Sequence, residues 1–168
     1  MIKDLEYDNG SLIGTIELES WKEFFGSDDK IYVVIGSKEK GDKAEKKHEN
    51  AYNYIVENQQ DVLAKILYGY VTEYSEKRGD MNYMGDSYKP TVEKITDLSG
   101  YLVPYCIKIL DTQFEDFSYT VIRFVSQLES LGDVSVLMHK DRVIVYEYNG
   151  IVNIDKFAQE DCKELIGA

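Results

Sequence analysis

The chain has 168 residues, with 31 Asp and Glu against 19 Lys and Arg for a formal charge of −12, and 43% hydrophobic residues with only 2 prolines. That length suits a single domain over residues 1–168, able to bury roughly 68–70% of its unfolded surface without a metal or disulfide, and the apolar content excludes a disordered chain. The acidity disfavours nucleic acid, whose phosphates need a concentrated positive face; it suits solubility and, equally, a basic protein partner.

The first thirty-six residues read as strands. Leu5 and Tyr7 lead into Asp8-Asn9-Gly10-Ser11, and Asn-Gly is a strong hairpin signal because a type I′ turn needs positive φ at both central residues. On the return strand Leu12, Gly14, Ile16 and Leu18 share the core face, which turns Glu17 and Glu19 outward. Trp21, Phe24 and Phe25 form an aromatic cluster ending at Gly26, and Lys30-Ile31-Tyr32-Val33-Val34-Ile35-Gly36 is a short, nearly continuous apolar run typical of a central strand.

From Asp42 the period changes. Asp42 and Glu45 are spaced as a capping box, and Ala44, His48, Ala51, Tyr52, Ile55 and Val56 fall on one helical stripe. Asn58-Gln59-Gln60 interrupts it. Asp61 then caps a second helix with Val62, Leu63, Ile66, Leu67, Tyr70, Val71 and Tyr74 on its apolar side. Gly69 inside that helix costs about 1 kcal/mol relative to Ala, which implies close packing against another element. Residues 78–90 carry no periodicity and read as a long loop, followed by a short helical turn around Val92, Ile95 and Leu98.

The last third is β again. Residues 103–110, 117–126, 133–139 and 142–148 are rich in Val, Ile and Tyr, and Lys140-Asp141 closes the last pair as a hairpin. Asp155 caps a final helix through Phe157, Ala158, Cys162 and Leu165. Strands, then helices, then strands give an α+β fold: a mostly antiparallel sheet with two central helices and a C-terminal helix packed on one face.

Catalytic and ligand motifs are weak. His48 and His139 are the only histidines, and His48 sits on an apolar stripe, where a core role comes first. Asp80, Asn82 and Gly85 match positions 1, 3 and 6 of a calcium loop, but Met84 and Thr91 stand where ligands are required. Phosphate-loop, dinucleotide and nucleophile-elbow patterns are missing from the sequence. Cys106 and His139 fall on separate strands and could pair, although a strand cysteine reads first as a small core residue. Both Cys106 and Cys162 are expected to be unpaired and largely buried, with no cofactor or metal. Without a signal-peptide pattern at Met1 or a run of roughly 20 apolar residues, the expected location is cytoplasmic, off the membrane.

Charge therefore supplies the candidate sites. The surplus of acid lies at the two ends, around a lysine-rich stretch at Lys38, Lys40, Lys43, Lys46 and Lys47. Glu17, Glu19, Glu115, Asp116 and Glu147 are the candidates for a partner-binding face. The loop residues Asp80, Tyr83, Asp86 and Tyr88 join them, because tyrosine and methionine favour interfaces.

The segment Val136-Leu137-Met138-His139-Lys140-Asp141-Arg142-Val143 resembles the carboxy-terminal hairpin of a family of small acidic bacterial domains of unassigned activity. The order of elements is similar over most of the chain. That family carries a Trp-Asp-x-Glu-His-Gly-x-Gly segment before the hairpin; here Leu128, Glu129, Gly132 and Ser135 stand in its place, so only the hairpin and Glu129 carry over. The resemblance implies an immunity protein that neutralises a toxin. Three readings remain: a non-catalytic binding protein of that kind, an enzyme or small-molecule binder whose site is assembled from scattered residues, and a structural or regulatory subunit.

Overall fold

The computed structural model describes residues 2, 4–36, 38–78, 92–128, 132–148 and 153–167. Among them, strands β1 (Glu6–Asp8), β2 (Ser11–Ile16), β3 (Ile31–Ile35), β4 (Leu102–Phe114), β5 (Phe117–Ser126), β6 (Asp133–His139) and β7 (Arg142–Tyr148) form one sheet in chain order. Every pairing is antiparallel except β3 with β4. Parallel neighbours need a long crossover, and this one carries α2 (Lys46–Glu57), α3 (Gln59–Arg78) and a 3-10 turn (Ile95–Gly100). The α+β class and the mostly antiparallel sheet are thus as the sequence implies.

Local chemistry explains most of the elements. Asn9 and Gly10 take φ of 44° and 82°, the pair of positive angles the hairpin turn demands. The aromatic cluster expected among strands is instead a helix, α1 (Glu19–Phe25), closed by Gly26 in the left-handed conformation with its N–H on the Lys22 carbonyl. Seven residues, about two turns of helix, are marginal alone, and tertiary anchors hold them. Trp21 is 1% exposed, its ring stacks on Phe124 at 6.2 Å, and its Nε1–H donates to the Gln59 carbonyl at 2.7 Å.

The start of α2 also differs from expectation. Glu45, not Asp42, is the cap, and the Glu45 N–H donates to His48 Nδ1 at 3.0 Å. Asp42 accepts the Glu39 N–H in the preceding turn. Likewise α3 begins two residues before Asp61, with the Val62 N–H on the Asn58 carbonyl. Asp61 sits in the first turn, where the helix dipole favours an acid.

Two cores lie on opposite faces of the sheet. Ile107, Ile109, Ile122, Phe124, Val134, Val136 and Met138 pack with Val62, Ile66, Leu67 and Tyr70 of α3 and Ile55 of α2. On the reverse face Leu110, Tyr119, Val121 and Leu137 meet Ile154 and Ala158 of α4 (Ile154–Gly167). The C-terminal helix therefore lies across the sheet from α2 and α3 instead of beside them. The reason is visible in β5, where Tyr119 and Val121 point one way, Ile122 and Phe124 the other, and all four are fully buried. A strand apolar on both sides needs cover on both sides. Gly69 has the close neighbour its position implies: an added Cβ would collide with the Tyr146 hydroxyl, which donates to the Ile66 carbonyl at 2.7 Å.

Candidate functional site

The five acids expected to share a face are brought to three separate places. Because strand order follows chain order, β2 and β7 are five strand spacings apart, about 24 Å. Glu17 and Glu19 follow the end of β2, and Glu147 sits on β7. Glu115 and Asp116 form the β4–β5 turn, where Glu115 accepts from Lys140 at 3.1 Å and the Asp116 carbonyl accepts from Asn50. Asp80, Tyr83, Asp86 and Tyr88, and with them the loop expected at 78–90 beyond Arg78, lie outside the described residues.

Glu19 keeps its place in a different constellation. Glu19 and Glu23, one turn apart on α1, face Glu57 and Asp61 on either side of the α2–α3 junction, around a cleft of about 360 Å³. The junction is fixed by Gln59, whose side-chain oxygen accepts both the Ser20 N–H at 2.9 Å and the Ser20 hydroxyl at 2.8 Å. Lys22 pairs with Glu19 at 3.3 Å. Glu23, Glu57 and Asp61 are exposed and make no ion pair among the described residues.

The cleft opens on apolar surface. Ser20, Glu23 and Gln60 also line a groove of about 370 Å³ with Phe24, Leu63 and Leu67. That groove shares Ala64 and Ile95 with a third of about 660 Å³, between α3 and β7. Tyr68, Val143, Ile144 and Tyr146 line this last part, and the Lys65–Asp141 ion pair stands at its edge. Acid at one end and an apolar trough at the other form one continuous path along α3.

A second polar cluster lies at the start of α2. Ligand atoms of Glu45, His48 and Asp111 lie within 4.8 Å of one another, a spacing that a metal ion can use. Here the cation is supplied by the chain: Lys38 Nζ donates to Asp111 Oδ1 at 2.8 Å and to Glu45 Oε1 at 3.0 Å. Lys47 adds a second ammonium, on the Asp111 carbonyl at 3.0 Å. His48 is fully buried, with Nδ1 taken by the Glu45 N–H and Nε2 at 3.0 Å from Asp111 Oδ1. That pattern requires the neutral Nε2–H tautomer. A divalent ion would have to displace both the ammonium and that proton, so the cluster is a neutralised structural knot.

Burial, and then the nearby Lys38, hold the His48 pKa below 6.5, while Asp111 and Glu45 pull the other way. Burial also lowers His139. Unfolded imidazoles bind a proton near pH 6.5 that these folded rings refuse. Their contribution to stability is complete above that pH and declines as the pH falls below it. At about pH 7, above the ordinary imidazole value, long-range ¹H–¹⁵N spectra should show His48 neutral with its proton on Nε2; a neutral ring with its proton on Nδ1 would contradict the knot.

The thiols do not assemble a site. Cys106 is free and buried, and burial raises its pKa. Its cross-strand neighbours are Arg123 and, beyond, Ser135, which leaves His139 four residues or about 13 Å further along β6. Cys162 is free but only partly buried, against the expectation, because it lies at the margin of α4 with its thiol on the Gln113 carbonyl at 3.1 Å. Beside it, Arg142 grips Asp161 through two hydrogen bonds of 2.6 Å, and the Tyr119 hydroxyl donates to the same carboxylate at 2.7 Å. This clamp fixes α4 to the sheet.

The molecule is thus an acidic α+β domain with an exposed carboxylate cleft leading into an apolar groove. No described helix is long and apolar enough to cross a membrane. The chain belongs to the family described as a domain of unknown function, DUF6985, whose profile matches residues 12–148, from β2 to the end of β7. No curated protein and no solved structure matches it.

Proposed function

We propose that this protein is a non-catalytic protein-binding domain that takes up a basic partner through the cleft of Glu19, Glu23, Glu57 and Asp61. The observation that carries this reading is the convergence of four carboxylates from three helices on one cleft, with Lys22 as the one paired cation. Like charges held together raise the local potential and steer a cation toward it. The cleft accommodates a lysine or arginine side chain, and the adjoining apolar groove receives the residues next to it. The resemblance of residues 136–143 to immunity-type domains supports a sharper form, in which the partner is a toxin and the domain covers its basic surface.

A short poly-lysine peptide tests the location of the charge effect. Reversing Glu23 and Glu57 to lysine should weaken its binding about tenfold at low salt, an advantage that fades as the Debye length shrinks to about 8 Å at physiological ionic strength. Reversing Glu160 and Glu164 on α4 changes the net charge equally but should have a much smaller effect. Equal losses from the two pairs would reduce the acidity to a property of the whole surface and overturn the reading.

A further inference from the structure

The apolar groove runs along the last strand of the sheet. Among the described residues β7 pairs with β6 on one side and with no strand on the other. α3 lies over this edge, tied to it from Asp141 through Lys65 and from Tyr146 through Ile66. Ala64, Lys65 and the exposed Tyr68 form the wall of the groove opposite Val143, Ile144 and Tyr146. The register explains why both Val143 and Ile144 line it. Met138 pairs with Val143 and Leu137 with Val145, so Ile144 is the extra residue of a bulge, and bulges re-aim side chains. Val143, Ile144, Val145 and Tyr146 thus form an uncharged, only partly buried run on a sheet edge. Proteins usually blunt such an edge with charge, a bulge or cover, since the free N–H and C=O groups of an edge are a template for another strand; within this run the Ile144 bulge stands without any charge. Apolar pockets beside a free edge are what strand-adding recognition modules use for specificity.

We infer that the partner segment binds as an extended strand added to β7, with alternate side chains in the groove beneath α3 and a basic side chain in the acidic cleft. The inference rests on the basic-partner reading for the last element only. The shared walls at Ala64 and Ile95, and then at Ser20, Glu23 and Gln60, give the segment an unbroken route between the two. The occupant is therefore an apolar, β-forming stretch ending in lysine or arginine, complementary in charge to the cleft.

The probe is a synthetic peptide of about nine residues, alternating Val and Thr with a lysine pair at one end, made in both orders. Affinity is read by fluorescence anisotropy and pairing by amide hydrogen exchange at β7. The expected result is protection of β7 amides and a loss of at least about tenfold in affinity when the peptide nitrogens along one edge are methylated, with little change when the other edge is. Equal binding by both methylated forms, or binding without protection of β7, overturns strand addition; a loss on Glu23→Lys and Glu57→Lys would then still uphold the basic-partner reading. Methylation sensitivity with indifference to those reversals upholds strand addition and overturns the other. Failure of the unmethylated peptides to bind in either order overturns both.

Discussion

Trp21→Ala should lower stability by about 3–5 kcal/mol, the range for emptying a buried aromatic site, and should dissolve the acidic cleft with it. The indole is 1% exposed and stacks on Phe124 of β5. Its N–H on the Gln59 carbonyl ties α1 to the α2–α3 junction. Seven residues of helix do not hold their shape without such anchors, so Glu19 and Glu23 lose their position relative to Glu57 and Asp61. Trp21→Phe keeps most of the apolar contact but leaves the Gln59 carbonyl without its donor, for a cost of about 1–2 kcal/mol. Urea unfolding followed by circular dichroism measures both, since the chain has a single tryptophan and the variants lose it. A loss below about 1 kcal/mol for Trp21→Ala would mean that α1 is held by something other than this contact.

How far the sequence shows this arrangement depends on the range of the interactions involved. The Asn9-Gly10 hairpin, the stripe of α3 and the four closing strands rest on local turn chemistry and periodicity, and they stand where the pattern puts them, except that β4 runs on past Leu110 to Phe114. α1 is hidden because its helicity comes from Trp21 and Ser20 reaching Gln59, some forty residues away. The placement of α4 was available in β5, whose alternate residues are apolar on both sides, but only if that doubled pattern is read as two-faced burial. Of the acids, Glu19 could be found and Glu23 follows from it once α1 is a helix, since the two are one turn apart. Glu57 and Asp61 join them only through the fold. Conversely, Glu17 is exposed just past β2 and Glu147 is half-buried on β7, and the two sit near opposite edges, because a sheet that keeps chain order separates what a reordered one would bring together.

Asp111→Ala is the second substitution with a large expected effect, and its logic runs through charge. Breaking a buried ion pair from one side costs about 3–5 kcal/mol when the remaining charge has no escape. Asp111 is itself 39% exposed while Lys38 is 7% exposed, so water screens part of the interaction and the expected loss is about 2–3 kcal/mol. The loss arises on the other side of the contact. Lys38 keeps only Glu45, and the buried His48 Nε2–H keeps no acceptor among the groups that now surround it. Lys38→Met should be milder, about 1–2 kcal/mol, because the two carboxylates it abandons can hydrate. If the knot is structural, the double variant Lys38→Met with Asp111→Leu should be more stable than the sum of single losses predicts, by at least about 1 kcal/mol in a double-mutant cycle. Strict additivity would show that Lys38 and Asp111 act independently. Asp111→Asn separates charge from hydrogen bonding: its side-chain oxygen still accepts from His48, so it should fall between wild type and Asp111→Ala, with the His48 tautomer unchanged.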